Sequence, residues 1–195
     1  MKIGIFGGSF NPPHNMHREI AEELINKQYV DKIIFVPTGS KYKYKTNLIS
    51  DKHRYKMLKI ICKNNKKLEV SDYELKDQVV YTYQTLNYFK DKYKNDEIYF
   101  ICGTDNLTYM DKWKNGIDIL ENNKILVIKR DTDDIKEILI RFYKYQDNIL
   151  ISDIEPKVLS STMIREKIKN NDKDLSKYLD KDVYEYIKVN KLYLE

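Results

Sequence analysis

The fold of this 195-residue chain is decided by the stretch KIGIFGGSFNPPHNMH, residues 2–17. Its first part, residues 2–6, is a short apolar run typical of a buried strand. The Gly7-Gly8 pair that follows predicts a turn in which the backbone takes positive φ and leaves its amide groups open to approach. Such amide groups, at the mouth of a following helix, form a cradle for phosphate oxygens. This strand-to-helix junction therefore predicts a phosphate site.

Two of the three histidines lie in the same stretch. Pro12 and Pro13 stiffen the loop before them, because each proline fixes φ at about −65° and donates no backbone hydrogen bond. If a helix begins near Asn15, His14 and His17 stand on the same side of its first turn. Both imidazoles then face whatever the glycine loop holds. Junctions of this kind are where open α/β sheets bind their ligands.

A metal site or a helix cap is the alternative for the histidine pair. Cys62 and Cys102 each lie inside an apolar segment, and His53 is distant in sequence. We therefore expect no metal bound by the chain itself. The two cysteines also provide no disulfide framework, which is typical of a reducing compartment.

The composition predicts one globular domain over residues 1–195, with 42% hydrophobic and 33% charged residues. The chain starts without a basic-then-apolar leader, and no apolar run approaches the roughly 20 residues that span a bilayer. We expect a cytoplasmic protein with no membrane partner. The net charge of +5 favours a polyanionic ligand such as a nucleotide. Basic and acidic residues are interleaved, so no nucleic-acid partner is expected.

Short apolar runs alternate with longer amphipathic segments along the chain. This alternation predicts an α/β fold, a parallel sheet flanked by helices, with a small helical appendix at the C-terminus. The predicted strands are residues 2–6, 32–36, 68–70, 97–101, 124–128 and 149–151. The predicted helices are residues 15–27, a helix capped by Ser50, residues 81–93, residues 131–145 and the helical segments after residue 160.

A second candidate phosphate site lies near the C-terminus, at Ser160-Ser161-Thr162. These hydroxyl residues predict a helix start with open amide groups, and Arg165 follows about one turn later. A helix N-terminus with a nearby guanidinium suits a triphosphate. An ordinary capped helix is the alternative.

Two further candidates follow the fourth predicted strand. Gly103 and Asp105 come at its carboxyl end, which is the binding edge of a parallel sheet. Asp105 is either a helix N-cap or a partner for a ribose or a metal-bound water. Trp113, the only tryptophan, lies among charged residues and is either core or a stacking face for a heteroaromatic ring.

Three motifs together resemble the His-x-x-His nucleotidyltransferase superfamily: the loop Gly7-Gly8-Ser9-Phe10-Asn11-Pro12-Pro13-His14-x-x-His17, Gly103-Thr104-Asp105, and Leu159-Ser160-Ser161-Thr162-Met163-Ile164-Arg165. The form of the first loop and the Trp113 segment are similar to the bacterial nicotinate mononucleotide adenylyltransferases. This resemblance runs nearly end to end. It implies a Rossmann-like sheet with helices on both faces, and transfer of the adenylyl group of ATP to nicotinate mononucleotide with release of pyrophosphate.

The resemblance also implies roles for individual residues. His14, His17 and Arg165 would be catalytic, acting on the phosphates during direct attack. ATP would contact eight further residues of the three motifs, namely Gly7, Gly8, Ser9, Phe10, Gly103, Asp105, Ser161 and Thr162, with Mg²⁺ offsetting the phosphate charge. Nicotinate mononucleotide would contact Lys45, Arg54, Thr82 and Trp113.

The chain departs from the usual pattern of that family in two places considered below. Met16 stands where a glycine is usual, and Gln84 where an acidic residue is common. The preference for acid or amide mononucleotide stays open, as does another phosphate acceptor such as phosphopantetheine. A non-catalytic module that binds nucleotides or RNA is the alternative of a different class. The sequence leaves open whether the chain is a homo-oligomer, and whether residues 41–50 form a lid or a tyrosine-rich contact.

Overall fold

Six parallel strands form one sheet in the order β3-β2-β1-β4-β5-β6. The computed structural model describes residues 1–42, 47–129, 135–157, 159–172 and 174–194. The strands are β1 (Lys2–Gly8), β2 (Lys32–Pro37), β3 (Leu68–Val70), β4 (Glu97–Gly103), β5 (Lys124–Ile128) and β6 (Ile149–Ile151). This order is that of the Rossmann-like fold, in which two halves wind outward from a central pair of strands. The predicted fold class is confirmed.

The first strand lies at the centre of the sheet, between β2 and β4. Gly4 is required there because a side-chain carbon at this position would meet the side chain of Ile101 on the neighbouring strand. Ile3 and Ile5 are buried in one hydrophobic cluster, and Ile33 and Phe35 are buried in another. The two clusters cover the two faces of the sheet. Near-continuous apolar strands of this kind are typical of a parallel sheet buried on both faces.

The prediction that Gly7 and Gly8 break the strand was wrong. Both glycines pair with β2, opposite Val36 and Pro37. None of the glycines in the described residues has positive φ, and Phe10 takes the left-handed conformation instead, with φ of 47°. Gly8 is needed for a different reason, because a side-chain carbon there would lie 3.0 Å from the ring of Phe10. The turn therefore comes two residues later than the glycines suggest.

Eight α-helices cover the sheet and extend beyond it. They are α1 (Asn15–Asn26), α2 (Asp51–Cys62), α3 (Thr82–Lys92), α4 (Thr104–Thr108), α5 (Gly116–Asn122), α6 (Ile135–Arg141), α7 (Ser161–Lys169) and α8 (Lys181–Val189), counted over the described residues. Apolar residues of α1 and α2 pack on one face of the sheet, and those of α3, α5 and α6 pack on the other. Helices therefore cover both faces, as expected.

The C-terminal helices pack against the outer side of α2. Ile164 and Ile168 of α7 and Val183 and Ile187 of α8 are buried in one cluster with Met57 and Ile61 of α2. None of the described residues in this cluster belongs to a strand. The predicted helical appendix is therefore present, and it positions the start of α7 beside the sheet edge.

Two short helices, α4 and α5, follow β4 and were not predicted. The predicted helix over residues 131–145 is shorter than expected: α6 ends at Arg141 and a 3₁₀ helix covers Tyr143–Asn148, while residues 131–134 lie outside the described residues. None of the helices in the described ranges has the length and apolar character needed to cross a bilayer.

Candidate active site

The main cavity opens at the carboxyl ends of β1 and β4, where the strand order reverses. Its volume is about 740 Å³. The described residues that line it include Gly7, Gly8, Ser9, Phe10, Asn11, His14, His17, Gly103, Asp105, Asn106, Ser160, Ser161, Thr162 and Arg165. Ligands of open α/β sheets bind in the crevice at this switch point. The cavity thus joins all three motifs that the sequence singled out.

The two predicted histidines are stacked on each other at the start of α1. Their ring centroids are 3.7 Å apart and His14 is buried, whereas His17 is half-buried. The backbone N–H of His14 donates to Nδ1 of His17 at 3.2 Å. Because Nδ1 accepts this hydrogen bond, neutral His17 carries its proton on Nε2.

Phe10 supports the ring of His17 from the loop. Its ring meets that of His17 edge to face at 4.9 Å, and it is buried against Phe6 and Phe35. A bulky residue with positive φ is strained by about 1–3 kcal/mol. Here the strained backbone places an aromatic ring under a histidine at the cavity wall.

The start of α7 is bonded directly to the first loop. Ser161 Oγ donates to the carbonyl of Pro12 at 2.8 Å, 149 residues away, and Ser160 caps the helix by accepting from Met163 N. Arg165 donates to the carbonyl of Asn11 at 2.7 Å and to Thr162 Oγ1 at 3.0 Å. The backbone N–H groups in the first turn of a helix have no acceptor within the helix and carry its positive dipole end. The two predicted phosphate sites therefore form one surface.

The side chain of Asn11 ties the loop to two distant segments. Its Oδ1 accepts from the hydroxyl of Tyr193 at 3.0 Å and from Ile49 N at 3.3 Å, and its Nδ2 donates to the carbonyl of Asn47. Burial raises the pKa of the Tyr193 phenol. Tyr193 thus stabilises the same loop in which the Asn11 carbonyl accepts a hydrogen bond from Arg165.

A smaller side cavity of about 130 Å³ adjoins the main cavity. Gly7, Gly8, Cys102 and Asn106 line both. The other described residues lining the side cavity include Thr38, Tyr42, Glu74, Val80, Thr82, Thr85, Phe100 and Trp113. Its wall is thus partly aromatic, with the start of α3 on one side.

Trp113 is half-buried in this wall. Its ring meets that of Phe100 edge to face at 6.2 Å and packs against the sheet cluster. The indole therefore contacts the core on one side and the side cavity on the other. The contact with the core is thus observed, and a role as a stacking face for a heteroaromatic ring stays a prediction.

Glu74 brings a carboxyl group into the same cavity. The Thr85 hydroxyl donates to Glu74 Oε1 at 2.7 Å. Burial raises the pKa of Glu74 to about 7, and the hydrogen bond from Thr85 and the positive charge of Arg54 act in the opposite direction. Part of the side chain nevertheless stays accessible, because Glu74 lines the cavity.

Arg54 is fully buried and bonded to the protein on several sides. Its guanidinium donates to the carbonyls of Ser9 at 2.8 Å, Thr38 at 2.5 Å and Ile49 at 3.3 Å, and it pairs with Asp51 at 2.5 Å. Arg54 is not among the described residues that line either cavity. The observed contacts join the ends of β1 and β2, and binding of a mononucleotide phosphate by Arg54 stays a prediction.

Comparison with known proteins places this site in a family. Residues 5–167 match the sequence profile described as cytidylyltransferase-like. The chain is 39% identical to a protein of Clostridium acetobutylicum named as a nicotinate-nucleotide adenylyltransferase, over 99% of each chain. The chain belongs to the nicotinate-nucleotide adenylyltransferase family. A relative of the same name from Fusobacterium nucleatum is 40% identical over 96% of this chain and 97% of its own.

Solved structures agree with membership of the nicotinate-nucleotide adenylyltransferase family. The Plasmodium falciparum nicotinic acid mononucleotide adenylyltransferase complexed with NaAD superposes with a TM-score of 0.82. The identity is 25%, and the match covers 98% of this chain and 97% of that chain. The same enzyme complexed with APC gives a TM-score of 0.80 at 26% identity, over 98% of this chain and 96% of that chain. The predicted family resemblance is confirmed.

Most site residues predicted from the adenylyltransferase resemblance line the two cavities. Thr82 and Trp113 line the side cavity. Eleven others line the main cavity, namely Gly7, Gly8, Ser9, Phe10, His14, His17, Gly103, Asp105, Ser161, Thr162 and Arg165. Lys45 lies outside the described residues. His53 lies apart from the histidine pair, with Nδ1 2.8 Å from the hydroxyl of Tyr186 on α8.

The two departures from the usual family pattern have structural explanations. Met16 is buried in the cluster under α1 and also lines the main cavity, so it fills space that a glycine would leave open. Gln84 accepts from the backbone N–H of Tyr81 at 2.9 Å. It is the third residue of α3, where glutamine and glutamate perform the same capping role.

Glu74 and Asn106 are two of the polar cavity residues that sequence reasoning missed. Glu74 lies between β3 and α3, in a segment without apolar periodicity, and carries no local signal. Asn106 directly follows Asp105, so the carboxyl end of β4 was a signal that could have identified it.

Proposed function

We propose that the chain transfers the adenylyl group of ATP to nicotinate mononucleotide, forming deamido-NAD and releasing pyrophosphate in NAD biosynthesis. One observation carries this proposal. Ser161 and Arg165, at the start of α7, are bonded to the carbonyls of Pro12 and Asn11 in the histidine loop. This arrangement suits a triphosphate, and the adjoining aromatic side cavity suits a pyridine ring.

The reaction is a direct displacement at the α-phosphorus of ATP. An oxygen of the 5′-phosphate of nicotinate mononucleotide forms the new bond, and the bond from the α-phosphorus to the bridging oxygen of the β-phosphate breaks. The attacking phosphate is already an anion, so no base is needed. The protein therefore contributes positioning and charge stabilisation.

His17 and His14 stabilise the phosphoryl group during this displacement. The hydrogen bond from His14 N to Nδ1 puts the proton of neutral His17 on Nε2, and in the proposed reaction this N–H donates to a phosphate oxygen. Stacking between the two rings and the edge contact from Phe10 hold the imidazole in place. Donors fixed in advance cost no reorganisation when charge develops on the phosphoryl oxygens.

The start of α7 holds the β- and γ-phosphates. Arg165 keeps its orientation through Asn11 and Thr162, and Ser161 and Thr162 present the backbone N–H groups of the first turn. Gly7, Gly8, Ser9 and Phe10 line the path of the nucleotide. Gly103 and Asp105 lie on the adenosine side, at the end of β4.

The side cavity receives the pyridine ring, with Trp113 as its stacking face and Thr82 beside the ring substituent. Thr82 begins α3, so the first backbone amides of that helix favour a negative charge here. The acid form of the mononucleotide carries such a charge.

Magnesium accompanies ATP in this proposal. No group of three or more histidine, cysteine, aspartate or glutamate residues suited to a metal is present among the described residues. This donor set fits Mg²⁺, which keeps several waters and is held mainly by substrate phosphates with one or two carboxylates. Asp105, the carboxylate among the described residues that line the main cavity, would contact a water on the ion, and the bound ion would neutralise phosphate charge.

We place the reaction in the cytoplasm. Cys62 and Cys102 are both buried and neither forms a disulfide, which suits a reducing compartment. Burial raises the pKa of the Cys62 thiol to about 12, so this group stays protonated and unreactive.

Incubation of the purified protein with ATP, Mg²⁺ and nicotinate mononucleotide should release pyrophosphate and form deamido-NAD. Competition among nicotinate mononucleotide, nicotinamide mononucleotide and phosphopantetheine should rank a pyridine mononucleotide first. Absence of pyrophosphate release with every acceptor would contradict the proposed function. Strongly salt-dependent RNA binding without turnover would support a binding module instead.

Replacement of Trp113 by alanine should raise KM for the mononucleotide about 10-fold and change kcat much less, because stacking acts on the bound ring. The measurement is initial-rate kinetics at saturating ATP. Trp113→Phe keeps an aromatic face and should recover most of the affinity. An unchanged KM together with reduced thermal stability would leave Trp113 with a core role alone.

A further inference from the structure

Glu74 is the acidic residue among the described residues that line the side cavity. It shares this wall with Thr82 and Thr85 of α3, and Trp113 lies in the same lining. The carbonyl oxygen of Glu74 lies close to Gly39, where any side-chain carbon would overlap it. The hydrogen bond from the Thr85 hydroxyl to Oε1 orients the carboxyl group at the cavity in which the proposed function places the pyridine ring.

The surroundings of Glu74 accommodate both of its protonation states. When ionised, the carboxylate accepts the hydrogen of the Thr85 hydroxyl at 2.7 Å. When protonated, Glu74 donates to Thr85 Oγ1, and Thr85 turns its own hydrogen toward the carbonyl of Tyr81 at 3.5 Å. Thr85 thus remains hydrogen-bonded in either state.

Several titratable groups surround this carboxyl group. Arg54 of α2 acts on Glu74 with its positive charge, and Tyr73 is adjacent in the chain. Tyr42 and Cys102 line the same cavity. Phenols and thiols lose their protons above neutral pH in water. With a pKa of about 7, Glu74 changes charge near neutral pH.

We propose that Glu74 determines whether the side cavity accepts the acid or the amide form of the pyridine mononucleotide. The inference rests on the proposed function, because it concerns the acceptor of that reaction. When the acid substrate binds, protonated Glu74 turns its O–H from Thr85 to the substrate carboxylate, and the Thr85 hydroxyl then donates to Glu74 Oε1. Ionised Glu74 repels that carboxylate and accepts instead from the amide group of nicotinamide mononucleotide.

Binding of the acid substrate is therefore coupled to a proton. Below the pKa of Glu74 the proton is already present, and the acid binds without further cost. Above it, the acid binds only as Glu74 takes up a proton from solvent, so its apparent affinity falls as pH rises. The amide substrate shows the reverse dependence.

The test compares kcat/KM for the two mononucleotides between pH 6 and 9. The ratio of acid to amide should fall by about tenfold per pH unit over much of this range. The 5′-phosphate, ATP and the histidine pair are common to both reactions, so their titrations cancel in the ratio. In Glu74→Gln, which stays neutral and keeps a partner for Thr85, the ratio should be independent of pH.

Glu185→Gln provides the matched control, because this glutamate lies on α8, is half exposed and pairs with Lys188. It should retain the pH dependence of the wild-type ratio. A wild-type ratio that is flat with pH, with pyrophosphate release intact, would overturn the role of Glu74 and leave the proposed function standing. Absence of release with either mononucleotide would instead contradict the proposed function.

Calorimetry gives a second readout that needs neither turnover nor a folded variant. Nicotinate mononucleotide is titrated into the wild-type protein at pH 8 in two buffers of different ionisation enthalpy. The difference in heat should correspond to uptake of about one proton on binding, and nicotinamide mononucleotide should give none. Equal proton uptake for both substrates would overturn the inference.

Discussion

Replacement of His17 by alanine should lower kcat by about 100-fold or more, comparable to the loss of one fixed donor to a developing negative charge. The KM for ATP should change much less, because the remaining contacts of α7 and the loop also bind the ground state. His17 is half-buried and its Nδ1 is held by the backbone N–H of His14. The measurement is pyrophosphate release at saturating substrates.

His53→Ala is the control for this prediction. His53 lies on α2, and its ring contacts the hydroxyl of Tyr186 rather than the main cavity. Its loss should leave kcat near the wild-type value. A His17→Ala enzyme with wild-type turnover would remove His17 from the mechanism, whatever its effect on stability.

The strands could be predicted from the sequence because they are buried apolar runs. β3, β5 and β6 have the predicted bounds, and β1, β2 and β4 start where predicted. Their carboxyl ends extend one or two residues further, through glycine and proline residues that propensity assigns to turns. Pairing with neighbours in the sheet overrides that local preference at Gly7 and Gly8.

The short helices after β4 were not predictable by periodicity. α4 has five residues and α5 has seven, which is too short for an apolar stripe to repeat. At the start of α5 the backbone of Gly116 lies against the carbonyl of Met110, so closely that any side-chain carbon would overlap it. Such a contact is visible only in three dimensions.

The candidate site also contains residues that the sequence could identify and residues that it could not. Residues within one local motif, such as His14 and His17, could be found because strand, loop and helix follow each other in sequence. Contacts between residues distant in sequence could not be predicted. Tyr193 donates a hydrogen bond to Asn11, 182 residues away, and no pattern near either residue indicates the pair. Glu74 was missed because its environment, rather than its sequence, makes it unusual.

Replacement of Arg54 by methionine should destabilise the fold by about 3 kcal/mol or more, because a buried charge pair is broken and buried acceptors lose their donor. Arg54 has no exposed surface, and its loss leaves the carbonyls of Ser9 and Thr38 and the carboxylate of Asp51 without this partner. Urea unfolding monitored by circular dichroism measures the change. The midpoint of thermal unfolding should fall by roughly 6–12 °C for a chain of this size.

Lys52→Met makes a similar chemical change two positions away, at an exposed site on α2, and should alter stability by no more than about 0.5 kcal/mol. The pair of variants also decides the role that the family resemblance implies for Arg54. If Arg54→Met unfolds at the wild-type urea concentration and KM for the mononucleotide rises, the guanidinium binds the substrate phosphate and is not needed for folding. If stability falls as expected and the folded fraction keeps its KM, Arg54 holds the ends of β1 and β2 together and contacts no substrate. The four donated contacts within the protein favour the second result.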